Sequence, residues 1–186
     1  RVGEWPRGSV ILLAAAMRST PTVDIHAHYF PEAYLRAVEA EGPHFGVKLD
    51  RSNPEGPAFQ MGPALAEPLR SAFRDLDARR NEMDRQGVRI HALSLTLPIV
   101  YFADADLGAR LARIFNDAVA QALSGIRGVY LATNIQGREL SDLAFLPVWA
   151  AIHARRLPVF LHPLTVVGGE RLAPYYLGNL LGNPFD

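Results

Sequence analysis

TVDIHAH at residues 22–28 is the stretch on which the fold turns. It is β-branched at its start and alternates in polarity, the pattern of a strand whose two faces differ. Working outward, VRIHALSLT at 88–96 predicts a second strand ended by Pro98, GVYLAT at 128–133 a third, and PVFLH at 158–162 a fourth. Helical periods fill the spaces between them. Residues 73–86 place Phe73, Leu76, Arg80 and Met83 on one face and stop at Gly87. Asp104 caps a longer helix with an apolar stripe of Leu107, Leu111, Ile114, Phe115, Ala118 and Ala122. Ser141 is expected to cap a helix through Phe145, Trp149 and Ile152, ending at Arg155 and Arg156, whose charges suit a C-terminal dipole. Residues 170–181 predict a last helix stopped by Pro184, whereas 42–68, with Pro43, Pro54, Pro57, Pro63 and Pro68, reads as a long irregular excursion. Apolar strands alternating with helices indicate a parallel α/β architecture with helices covering the sheet.

Composition narrows the chemistry. The chain has 186 residues, with 19 Lys+Arg against 19 Asp+Glu, 49% hydrophobic residues and no cysteine. A zero formal charge lacks the basic footprint of a nucleic-acid binder, so no nucleic-acid partner is expected. Without cysteine there is no disulfide framework, thiolate nucleophile or Cys-based zinc finger. Any metal must be held by histidines and carboxylates. No run approaches the ~18 apolar residues of a membrane span, so no membrane partner is expected. Residues 10–16 (VILLAAA) imitate a signal core weakly. With a strand-like segment following almost at once, 1–16 reads instead as an upstream extension. The folded domain is then 17–186, opening at Met17, and the expected compartment is the cytoplasm.

Six histidines must be sorted. Alternation puts His26 and His28 on one face of their strand, with Cα atoms about 6.6 Å apart, close enough for two imidazoles to share an ion at about 2.0–2.1 Å each. Asp24 shares that face one step deeper, where it either orients a ligand or merely starts the strand. His162 ends the fourth strand. In parallel α/β folds the C-terminal strand edge is where sites are built, so His26, His28 and His162 converge there. An isolated H-x-H is a common chance pattern, and its weight here comes from this position. His44 falls in the Pro/Gly-rich loop and reads as solvent-exposed. His91 starts the second strand and reads as a packing residue, and His153 as a helix-surface residue. Arg70 and Arg74 have the chemistry to grip a carboxylate, but such arginines are more often exposed, and they are kept out of the candidate site.

VDIHAHYFPEAYL, MDRQGVRIHALSLT, GVYLATNIQGREL and PVFLHP, in this order, resemble the amidohydrolase superfamily, in its aminocarboxymuconate-semialdehyde decarboxylase-like branch. The resemblance runs from about residue 22 to 186. It implies a (β/α)8 TIM-type barrel, here incomplete, with a divalent metal at the C-terminal mouth held by His26, His28 and His162. Three imidazoles favour Zn2+, with Mn2+ the alternative. The implied function is a metal-dependent, nonoxidative carboxy-lyase acting on a carboxylated aromatic or muconate-like small molecule, in a chain that forms a homo-oligomer or acts alone. A metal-dependent hydrolase of the same superfamily and an inactive fragment are the alternatives. Departures from the family pattern bear on activity. The family's carboxylate metal ligand after the eighth strand and its acid/base histidine after the sixth have no counterpart in 1–186. AQALSGI at 120–126 stands where the family has a further strand and helix, and Leu164-Thr165 stand where the muconate decarboxylase has Trp-Asp. The catalytic and substrate-binding residues are therefore left unassigned.

Overall fold

The computed structural model describes residues 21–186 apart from 66, 124, 126, 165 and 167. The expected extension over 1–16 and the opening at Met17 lie outside the described residues. In chain order the elements are β1 (Val23–His28), α1 (Glu32–Glu41), β2 (Val47–Asp50), β3 (Ala58–Met61), β4 (Ala64–Leu65), α2 (Leu76–Gln86), β5 (Ile90–Ser94), α3 (Ala105–Ala122), β6 (Val129–Ala132), β7 (Asn134–Ile135), β8 (Arg138–Glu139), α4 (Leu146–Arg155), β9 (Val159–His162) and α5 (Asn183–Phe185). The four strands expected from the sequence are β1, β5, β6 and β9. They pair in parallel, β1 with β5 and β6 with β9. The architecture is thus α/β with parallel strand pairs, as expected, and no complete barrel is formed among the described residues.

The two pairs are separate sheets, and β5 shares no rung with β6. This is the place where the resemblance implies a further strand and helix. The seam is crossed by the turn that follows β5. Ile99 and Ala103 in that turn are buried, and the Tyr101 carbonyl accepts from Gln136 Nε2, in the turn after β7, at 3.5 Å. The consequence is apolar surface on the strands themselves: Val23, Ile25, Ile90, Phe160 and Leu161 are all exposed. A closed barrel would cover such positions with neighbouring strands and helices.

The core sits to one side of these strands. Phe30, Tyr34, Leu35, Val38, Val47, Phe59, Leu95, Ile99, Leu107 and Leu111 pack together, drawing on α1, the β2–β3 ribbon, the turn after β5 and α3. On α3 the expected stripe packs there, with Leu107 and Leu111 buried and Ile114 and Phe115 against the cluster. Asp104 caps α3 as expected, its carboxylate accepting from the Leu107 amide at 2.8 Å.

Several expectations are corrected. Residues 42–68 are not irregular throughout. Val47 pairs with Met61 and Asp50 with Ala58 in an antiparallel ribbon extended by β4, because the prolines fall in its turns and leave VKLD and AFQM free to pair. Gly56 lets the ribbon fold back: φ is +143°, and a Cβ there would stand 2.2 Å from the Leu69 carbonyl oxygen. The helix over α1 had no counterpart in the sequence reading, although Tyr34, Leu35 and Val38, spaced on one face, are its buried residues. In α2 the buried side chain is Arg79, while Arg80 faces solvent beside Asp77. Asp142, not Ser141, caps the turn leading to α4, accepting from the Ala144 amide at 2.9 Å. The predicted helix over 170–181 is a series of short turns ending in α5. Pro174 cannot continue a helix, and Tyr176 adopts φ +56°, so the helical ladder breaks there. Pro184 lies in the first turn of α5 rather than stopping a helix. No helix among the described residues is long and apolar enough to cross a membrane.

Candidate metal centre

The parallel pairs end on matching rungs, His28 opposite Ser94 and Ala132 opposite His162. These rungs lie at the C-terminal edge of each sheet. There the histidine rings of the two sheets meet, with His26 and His28 centroids 5.0 Å apart on β1 and the His26 centroid 5.5 Å from that of His162 on β9. Two imidazoles bound through nitrogen to one tetrahedral ion have centroids about 5 Å apart, given metal–nitrogen distances of about 2.0–2.1 Å. Both measured separations match that yardstick. Even so, no group of three or more His, Cys, Asp or Glu side chains among the described residues is already gathered as a metal cage. The rings stand at the spacing of a shared ion without yet aiming their donor atoms at one point.

Hydrogen bonds select which nitrogen is free. His162 Nδ1 lies 2.9 Å from the Pro163 carbonyl oxygen. A carbonyl only accepts, so Nδ1 carries the proton and Nε2 keeps its lone pair. His28 Nδ1 lies 3.1 Å from Ser94 Oγ, which again leaves Nε2 uncommitted. The imidazole of His28 is held below the usual histidine pKa, first by burial, then by the neighbouring rings of His26 and His162, then by Arg79, against the opposing effect of the Ser94 backbone. Burial and neighbours therefore favour the neutral ring that a metal requires. The donor chemistry fits a divalent ion of the zinc type.

One step deeper on the β6–β9 face, Tyr130 stacks on Phe160 at 6.0 Å, and its ring lies 5.5 Å from that of His162. The Tyr130 hydroxyl is buried without a hydrogen-bond partner among the described residues, and burial, with Tyr101 nearby, pushes its pKa up to about 12. These rings floor the site with apolar surface.

The remaining candidates sort as follows. His44 and His153 are exposed, as expected. The His91 side chain is buried, as a packing residue would be, but it is also hydrogen-bonded to Arg79 at 3.0 Å. Arg74 Nε donates to the Leu69 carbonyl at 2.9 Å, and Arg70 is exposed, so neither joins the histidines as a substrate grip. Thr165 lies outside the described residues. Arg79 is not among the residues singled out from the sequence; its spacing of three from Leu76 and four to Met83 is the signal, one that Arg80 shares in reverse and that only packing resolves.

No family model matches the chain. It is 25% identical over 197 residues to 2-amino-3-carboxymuconate-6-semialdehyde decarboxylase of Dictyostelium discoideum, an alignment that takes in 88% of this chain and 55% of the relative. It is 24% identical over 178 residues to decarboxylase macB of Penicillium terrestre, covering 87% of this chain and 53% of that one. The chain is similar to these decarboxylases over most of its own length. Among solved structures, Metarhizium anisopliae IDCase in its apo form superposes with a TM-score of 0.66 at 24% identity, over 91% of this chain and 59% of the other, a likeness of fold. The chain spans about half the length of the curated relatives it matches.

Proposed function

We propose that the chain carries the metal-binding face of a metal-dependent, nonoxidative carboxy-lyase, acting on a small carboxylated aromatic or muconate-like molecule. The observation that carries this reading is the meeting of His26, His28 and His162, from two separately paired parallel sheets, at the C-terminal edge of both. Nε2 of His28, Nε2 of His162 and the His26 ring are the donors that would hold a Zn2+ or Mn2+ ion. When bound, such an ion supplies Lewis-acid stabilisation of negative charge on substrate oxygens. In the reaction the bond from carbon to carboxylate breaks, its electron pair stays on the substrate carbon, and a proton takes the place of the departing carbon dioxide. Ser94 and the Pro163 carbonyl fix ring orientation, while Phe160 and Tyr130 offer an aromatic floor on which a planar substrate can stack. The similarity to two decarboxylases supports decarboxylation over other chemistry on such a site.

A second reading, metal binding without turnover, is favoured by the open seam between β5 and β6. Both are tested by loading the full chain with Zn2+ or Mn2+ and measuring carbon dioxide release from a panel of carboxylated phenols and muconates, beside His26→Ala. Release that His26→Ala abolishes is the expected result. Stoichiometric metal binding with no release from any member selects the second reading, and turnover of amides or lactones without carbon dioxide selects a hydrolase.

A further inference from the structure

The structure assigns a positioning role to Arg79, His91 and Asp24, a polar brace beneath the histidine pair of β1. The assignment rests on the reading of His26 and His28 as metal ligands. Arg79 is 7% exposed, and its guanidinium donates to the His28 carbonyl oxygen and to His91 Nδ1, the latter at 3.0 Å. An arginine has only donors, so His91 Nδ1 accepts and the His91 proton sits on Nε2. That nitrogen faces Asp24 Oδ2 at 3.7 Å. The other carboxylate oxygen of Asp24 accepts from the His26 amide at 2.8 Å.

The brace therefore holds the backbone of each β1 histidine, His26 by its N–H and His28 by its C=O. It does so where the strand departs from regular pairing. Asp24 faces His91 and Ala27 faces Leu93, so three steps along β1 match two along β5. Such a bulge twists a strand and re-aims its side chains, and here it lies between Asp24 and Ala27, at the first histidine of the pair. A buried guanidinium is costly unless hydrogen bonds compensate it; the His28 carbonyl and His91 Nδ1 do so in part, while Arg79 Nε and His91 Nε2 have no hydrogen-bond partner among the described residues. A helix packed on a sheet needs none of these groups for its own sake. Their joint effect is to fix the spacing at which His26 and His28 present their rings.

The test is Zn2+ affinity of the full chain, by competition with a chromophoric chelator, together with urea unfolding of the metal-free chain. Wild type is compared with Asp24→Ala, Asp24→Asn, Arg79→Met and the exposed neighbour Arg80→Met. Asp24→Ala and Arg79→Met are expected to weaken Zn2+ binding about tenfold or more, the range seen when outer groups that orient metal ligands are lost. Asp24→Asn, whose amide oxygen still accepts from the His26 amide, is expected to stay within about threefold of wild type, and Arg80→Met to leave affinity unchanged. A merely structural role would lower metal-free stability and leave the affinity of the folded protein intact; that outcome overturns the proposal, as does Asp24→Asn binding no better than Asp24→Ala. Should Arg79→Met fail to fold, the two Asp24 variants decide. Absence of Zn2+ binding by wild type would remove the metal reading and this proposal together, whereas wild-type binding with indifferent variants removes the proposal alone.

Discussion

His28 Nδ1 and Ser94 Oγ stand 3.1 Å apart across the last rung of the β1–β5 pair. The contact joins the end of one strand to the end of its parallel neighbour and leaves His28 Nε2 for a ligand. Ser94→Ala is expected to weaken Zn2+ binding about tenfold, as loss of a ligand-orienting hydrogen bond does, with urea unfolding little changed. Chelator competition reads the effect, and affinity equal to wild type would mean that Ser94 merely neighbours the ring.

His162 is the one histidine of the cluster on the β6–β9 sheet. His162→Ala should therefore leave the His26–His28 pair in place and remove the only imidazole from the second sheet. The expected outcome is loss of one-to-one Zn2+ binding at micromolar metal, measured by equilibrium dialysis, without loss of secondary structure by circular dichroism. Binding retained at wild-type strength would assign the metal elsewhere.

The core makes a prediction independent of the site. Tyr34 is fully buried on α1, and its hydroxyl donates to the carbonyl oxygen of Ile99. Tyr34→Phe leaves that carbonyl without the bond and should cost about 1–3 kcal/mol in urea unfolding, with Zn2+ affinity unaltered. A shift in affinity instead would couple the core to the histidine cluster.

Acid lability has a local source in the cap of α2. The Asp75 carboxylate accepts from the amides of Asp77 and Ala78, which hold its pKa below the ordinary carboxylate value, the Ala78 bond contributing most. A lowered folded value means that the group stabilises the fold fully above the unfolded carboxylate range. The contribution is lost as pH falls through the lowered folded value. Asp75→Asn, which can still cap but cannot titrate, should flatten the pH dependence of stability in that acid window, as followed by unfolding at stepped pH. An unchanged acid profile would place the sensitivity at other carboxylates.

The strand order and the histidines were legible because each depended on local pattern. TVDIHAH and PVFLH are strands by composition, and a histidine at the end of a parallel strand reaches the C-terminal edge whatever surrounds it. The Asp104 cap was equally local, one side chain meeting an amide three residues on. The helix expected over 170–181 is broken for a reason also present in the sequence, since Pro174 cannot donate to a helical ladder. Residues 42–68 failed differently: short strands in a proline-rich stretch are stabilised by pairing with each other and by Phe59 entering the core, which no single segment reveals.

The sequence by itself determined the parallel α/β character, the absence of thiolate chemistry and the identity of His26, His28 and His162 as the candidate ligands. These follow from side-chain chemistry and from periods of two and 3.6 residues, which are properties of short stretches. Tertiary structure alone decided that the β5 and β6 edges do not pair, that His26 of one sheet meets His162 of the other, and that Arg79 bonds His91 beside Asp24 beneath them. Each of these relationships joins residues far apart in the chain, and its free energy depends on burial and distance that exist only once the elements have packed.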